Sequence, residues 1–234
     1  MVEISTEQRK QIFKAVYDFK VNKKFWDTTS LTGPQHDTQR SKPGPYLKKA
    51  AEIGRILDLK NVVEIGSTRL AFSKKCLEYY EGDMNEYVSP PCCNDGHGSI
   101  VWSLEGYQVD TVDINQHCIK QLEWSFGNIG RTKPDNFNYH IPMDGIEYLK
   151  NYEGTIDILF LDGWDVGTGG YRQRHLEAYD VVKDKLSEVH LILIDDTDFR
   201  IEDGGKDALL TPKLIEDGYF MLFNGRQTLF INKI

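Results

Sequence analysis

The chain has 234 residues, 40% hydrophobic content and a formal net charge of −8 at pH 7, enough for one well-buried core and short for two. The acidic balance, with a pI near 5.3, argues against a protein built to grip a phosphate backbone, which needs a basic face. No apolar run approaches the roughly 20 residues that cross a bilayer, and MVEISTEQRK lacks the apolar centre of a secretion signal, so a soluble, cytoplasmic protein without nucleic-acid or membrane partners is expected.

The first element is an amphipathic helix of about four turns. Ser5 and Gln8 fit a capping box, and Ile12, Phe13, Val16, Tyr17 and Phe19 recur on one broad face. Residues 27–45 are polar and rich in turn formers, which reads as a loop or lid, and Pro45 suits the first position of a helix running to Leu57. Residues 1–58 therefore form N-terminal helices with a lid-like loop, ahead of a main domain over 59–234.

From Asn61 strands and helices alternate. The expected strands are 61–65, 108–112, 137–141, 156–161, 189–194, 219–223 and 227–232, and the helices 69–81, 99–105, 115–126, 144–151, 171–186 and 206–216. Such alternation implies right-handed crossovers and a parallel sheet covered on both faces. Only the last two strands, joined by Asn224-Gly225-Arg226, are close enough for a hairpin. The fold class is α/β: a Rossmann-like, seven-stranded, mostly parallel sheet with an antiparallel terminal hairpin.

Cys76, Cys92, Cys93 and Cys118 are too few for a disulfide framework, and reduced thiols are expected. Cys92, Cys93 and His97 are zinc-ligand types, yet no second CxxC or HxxxH completes a set of four.

Ligands of open α/β sheets bind beyond the carboxyl ends of the strands. Those ends are acidic here: Glu64, Asp113, Asp144, Asp162 and the pair Asp195-Asp196. Any single one is more simply an N-cap or a turn residue, but five strand ends in succession describe a lined edge, and clustered carboxylates need hydroxyls, amines or a cation to satisfy them.

With the turn Glu64-Ile-Gly66-Ser67, the acid of VDTVDIN, the Met143-Asp144-Gly145 segment and the terminal hairpin, residues 61–232 resemble the class I S-adenosylmethionine-dependent methyltransferases. The resemblance implies that Glu64, Gly66 and Ser67 lie against the methionine part of the cofactor. It implies that Asp113, with Ile114 beside it, takes the ribose hydroxyls, and that Met143 and Asp144 border the adenine, with Asp162 also at the cofactor. An ionised Asp113 suits a diol and would repel a 2′-phosphate, and GSTRLA lacks the GxGxxG that a pyrophosphate wants. Asp113 follows Gly66 by well over the usual spacing of about 20 positions. An insertion over about 68–98 accounts for this, and the preferred reading is a split loop completed by Gly96, Gly98 and Ser99; a loop confined to Gly66-Ser67 stays open.

ILFLDGWD (158–165) and LILIDDTDF (191–199) resemble the metal-dependent O-methyltransferases that act on catechols and antibiotic sugars. There Asp162, Asp195 and Asp196 would hold Mg²⁺, which would bind two oxygens of the acceptor and lower the pKa of the hydroxyl to be methylated. Asp165 and His175 are the candidate bases. Gly163, Gly167, Gly169 and Gly170 suit a bending loop, and Trp164 and Tyr171 are candidate walls for a ring-shaped acceptor, or core residues. The expected activity is transfer of a methyl group to a small-molecule hydroxyl, with self-association left open. Two other readings stand beside it: a metal-using glycosyltransferase through Asp196-Thr197-Asp198, and a methyltransferase-like module without catalysis that serves a partner.

Overall fold

The structure is a computed structural model that describes residues 3–20, 43–82, 97–199 and 204–234. Gly96, the Cys92-Cys93 pair and most of the proposed lid at 27–45 lie outside the described residues.

Helix α1 (Thr6–Tyr17) starts at the expected capping box: Ser5 accepts from the Gln8 amide, and the Gln8 side chain closes back on the Ser5 backbone. It is shorter than expected, and its buried face is narrower. Ile12 and Ala15 are buried while Phe13 and Tyr17 are 57% and 85% exposed. Positions 12, 15, 16 and 19 share one stripe at helical spacing, and 13 and 17 sit a step round from it. Helix α2 (Gly44–Ile56) carries Pro45 in its first turn, where a missing N–H costs nothing, and buries Leu47, Ala50 and Ile53.

Strand β1 (Asn61–Ile65) is followed by α3 (Lys74–Glu81), which begins later than expected because Ser73 caps it, accepting from the Cys76 amide. Then come α4 (Gly98–Leu104), β2 (Gln108–Val112), α5 (His117–Asn128), β3 (Phe137–His140), α6 (Gly145–Asn151) and β4 (Ile156–Leu161). Helix α7 (Tyr171–Val182) stops short of 186. A 3-10 turn over Lys183–Lys185 follows, and β5 (Leu186–Ile194) starts three residues early. The extra strand is accommodated by an irregularity, since Ile156 pairs with Leu186 but Ile158 with Leu191. Helix α8 (Leu210–Glu216), β6 (Phe220–Phe223) and β7 (Thr228–Ile231) complete the chain.

The sheet order is β3-β2-β1-β4-β5-β7-β6, with β7 antiparallel to both neighbours and the remaining strands parallel. The order reverses direction between β1 and β4, which is where open α/β sheets leave a crevice. Alternate residues of each strand feed two cores. Val62, Ile158, Phe160, Leu191 and Leu193 pack with α1, α2, α4 and α5 residues on one face, and Val63, Ile65, Leu159, Leu161, Ile192 and Ile194 with α6, α7 and α8 residues on the other. The N-terminal helices thus share a core with the sheet through Ile12 and Leu47. Cys76 and Cys118 are buried.

Candidate active site

At the end of β1 the chain turns at Gly66, where φ is +94° and a Cβ would lie 2.6 Å from the backbone of Asp162. Only glycine meets both demands. Glu64 is buried between the sheet and α4. Ser99 and Thr111 donate their hydroxyls to its Oε2, the second at 2.7 Å. Burial nevertheless dominates and lifts the Glu64 pKa to about 8, with the two hydroxyls pulling it down and Asp113 pushing it up. Gly98 lies directly over this carboxyl: a Cβ there would sit 2.2 Å from Glu64 Oε1 and 2.5 Å from the Phe160 ring.

Helix α4 therefore docks against the end of β1, and Ser99 Oγ lies 3.4 Å from Ser67 Oγ. The turn at Gly66-Ser67 and the start of α4 lie side by side, although 68–96 separates them in sequence. Asp113, half-buried, accepts from the Ser67 amide at 2.9 Å through one oxygen and from the Asn115 amide at 2.7 Å through the other. The Cys118 thiol is directed at the same carboxylate, and of that carboxylate's roughly four acceptor sites one is left for a further donor. Ile114 and Met143 are 72% and 40% exposed, apolar side chains left uncovered beside Asp113, whose carbonyl accepts from the Met143 amide. Asp144 serves the simpler role weighed for it: it N-caps α6, accepting from the Ile146 and Glu147 amides.

Beyond β4 and β5 the backbone leaves the usual regions. Trp164 and Asp196 have φ of 49° and 52°, uncommon for residues with a Cβ. Asp162, Asp195 and Asp196 converge, with oxygens within 4.8 Å of one another. Two basic residues that did not figure in the sequence reading of the site enter this cluster. Lys206 is 0% exposed; its Nζ donates to Asp162 Oδ1 at 2.8 Å and to the Asp162 carbonyl at 2.9 Å, and lies 3.3 Å from Asp196 Oδ2. Arg226, in the turn before β7, reaches Asp196 Oδ1 at 2.9 Å and Asp195 Oδ2 at 3.4 Å, and Gln227 donates to Asp195 Oδ1 at 2.8 Å. Burial works against the Lys206 charge, but Asp162, Asp196 and Asp195 more than offset it and its pKa is raised. Burial raises the Asp162 pKa against the pull of Lys206.

A divalent cation does not fit these residues as they stand. Mg²⁺ needs an octahedron of oxygens at about 2.0 to 2.1 Å, whereas the inward oxygens here are spent on an ammonium and a guanidinium. The Lys206 ammonium would have to be displaced before the three carboxylates could close on such an ion.

The two candidate bases differ in readiness. Asp165, exposed, takes a two-pronged ion pair from Arg69 at 3.0 and 2.7 Å, which spans the loops after β1 and β4. His175 is buried, donates Nδ1–H to the Tyr171 carbonyl at 2.7 Å and, among the described residues, has no hydrogen-bond partner at Nε2; burial lowers its pKa to about 3, with Lys206 acting in the same direction. Trp164 packs edge-on against this ring, and Tyr171 is buried with its hydroxyl donating to the Gly204 carbonyl at 2.7 Å.

No protein-family model matches the sequence, and no curated protein matches it. Solved structures do match the fold. The S-adenosylhomocysteine-bound methyltransferase PaMTH1 of Podospora anserina superposes with a TM-score of 0.53 at 16% identity, covering 98% of this chain and 89% of its own. A Staphylococcus aureus protein described as a caffeoyl-CoA O-methyltransferase gives 0.53 at 14% identity over 81% and 83%. At this identity the likeness is one of fold: the chain has the Rossmann-like sheet of the S-adenosylmethionine-dependent methyltransferases, terminal hairpin included.

Proposed function

We propose that this protein is an S-adenosylmethionine-dependent methyltransferase acting on a hydroxyl of a small molecule. One observation carries the reading: the Gly66-Ser67 turn, the Gly98-Ser99 helix start, Asp113 and the exposed Ile114 and Met143 meet at the crevice edge of a sheet with methyltransferase strand order. Asp113 keeps an acceptor site for a ribose hydroxyl while its amide contacts hold the glycine turn in place. Ile114 and Met143 offer apolar surface to the adenine, and Ser67 and Ser99, with Glu64 beneath, face the methionine end. When bound, the cofactor supplies the methyl group as an electrophile; the residues of this chain bind, orient and handle the acceptor proton.

For that proton Asp165 is the better base. Its pair with Arg69 is exposed, and such pairs contribute only about 0–1 kcal/mol, so release of the carboxylate is easy. His175 has its Nε2 unpaired among the described residues, but the ring is fully buried and does not open onto an acceptor. Support from a divalent cation is not carried into this reading, because Lys206 and Arg226 take the carboxylates it needs.

Calorimetric titration tests the proposal. S-adenosylhomocysteine is expected to bind stoichiometrically and a nucleotide-sugar to give no heat. Binding of the nucleotide-sugar alone would favour the glycosyltransferase reading, and silence toward both S-adenosylmethionine and its product would favour a non-catalytic module.

A further inference from the structure

The carboxylates of Asp162, Asp195 and Asp196 invite a metal, yet the space among them already holds a cation of the protein's own. We infer that Lys206, with Arg226, is the permanent counter-cation of this site, so that the chain binds no divalent ion there and methylates without one. This deepens the methyltransferase reading and rests on it for the catalytic part only.

Three observations independent of any titration argue for the assignment. First, the Lys206 ammonium has three N–H donors and three oxygens around it, Asp162 Oδ1, the Asp162 carbonyl and Asp196 Oδ2. Two hydrogen bonds to Asp162 and the ion pair with Asp196 enclose it, in keeping with a side chain that is 0% exposed. Second, the backbone is built to deliver it. The Lys206 amide donates to the Asp196 carbonyl at 3.2 Å, and Gly205 lies so close to Asp196 and Thr197 that a Cβ would come within 2.6 Å of the Asp196 carbonyl oxygen. Third, the carboxylate oxygens that Lys206 does not reach are met from the hairpin side: Arg226 bridges Asp195 and Asp196, and Gln227 holds the remaining Asp195 oxygen. Three carboxylates thus face two cations and an amide, which is how buried carboxylates are normally satisfied.

Lys206 is thus a positioning residue: it touches no reacting atom and acts by fixing Asp162 beside the Gly66 turn and Asp196 in its left-handed conformation. Removing its side chain should expose the latent metal site.

The experiment is a Mn²⁺ titration of the full chain followed by electron paramagnetic resonance, with a parallel thermal melt. The wild type is expected to leave the free Mn²⁺ signal unchanged up to millimolar ion, and its melting temperature unmoved. Lys206→Ala, which empties the centre and leaves the three acids, is expected to take up Mn²⁺ more than about tenfold tighter and to be stabilised by it. A merely structural lysine would give a weakened variant without that gain. Stoichiometric Mn²⁺ binding by the wild type overturns the inference, and so does a folded Lys206→Ala that gains no affinity. Should that variant fail to fold, the wild-type titration still decides. S-adenosylhomocysteine calorimetry on the same wild-type sample separates the two readings: absence of product binding rejects the methyltransferase reading and leaves the cation assignment to the Mn²⁺ result. If product does bind, turnover is expected to be equal in EDTA and in Mg²⁺; loss of activity in EDTA also overturns the inference.

Discussion

Burial gives Glu64 a protonation behaviour that its place at a strand end conceals. The folded chain keeps its proton up to about pH 8, whereas the ordinary value is 4.5, so between those limits the folded state binds more protons than the unfolded one. This contribution to stability is therefore fully present below about pH 4.5 and lost as pH rises through 8. Urea titrations of wild type and Glu64→Gln should diverge across that window: the wild type loses on the order of a few kcal/mol relative to the glutamine variant, whose amide does not titrate. A constant difference between the two would show that Glu64 is ionised throughout. Asp113 carries a different kind of consequence, because it holds the Ser67 amide and is proposed to hold the cofactor. Asp113→Asn should weaken S-adenosylhomocysteine binding by about 10- to 100-fold, the size of a charge-assisted hydrogen bond, as read by calorimetry.

At the scale of elements, the docking of α4 on β1 explains how a glycine turn interrupted by an insertion still forms one surface. Gly98 allows the contact, since any side chain there would strike Glu64 and Phe160. Gly98→Ala should lower stability by about 1 to 3 kcal/mol through overpacking, visible as a drop in melting temperature, while an alanine at Gly127, where nothing lies within 4 Å, should not. Much of this frame was legible from local pattern: the order of strands and helices, the hairpin, the capping box at Ser5 and the acids at strand ends all come from short-range spacing. The errors fall where tertiary packing chooses. Pattern alone does not say which of two adjacent stripes on α1 is buried, or that the chain after Val182 turns early into β5. Lys206 and Arg226 went unread because each looks like a turn residue, GGKD and NGRQ, and their partners stand 44 and 31 positions away. Their signal was indirect: buried acids imply cations, and basic residues in glycine-bearing loops after β5 and β6 were the ones within reach.

For the whole molecule, the buried charge cluster is the point where separate segments are joined. Asp162 ends β4, Asp195 and Asp196 end β5, Lys206 comes from the segment before α8, and Arg226 and Gln227 come from the hairpin turn. The antiparallel edge of the sheet is thereby tied to the crevice by charges as well as by the β5–β7 ladder. Magnitudes separate this cluster from the surface pairs. Arg69 and Asp165 are each about half-exposed, and Arg69→Ala should change stability by less than about 1 kcal/mol. Arg226 is 4% exposed in its side chain, and Arg226→Ala leaves the buried Asp195 and the partly buried Asp196 short of a partner, which costs about 3 to 5 kcal/mol. Urea denaturation of the two variants measures both. Near-equal effects would mean that water reaches Asp195 and Asp196, and that the hairpin is held by its ladder alone. The large difference expected here would make the hairpin a working part of the crevice, because loosening it would free the acids that the protein's own cations now hold.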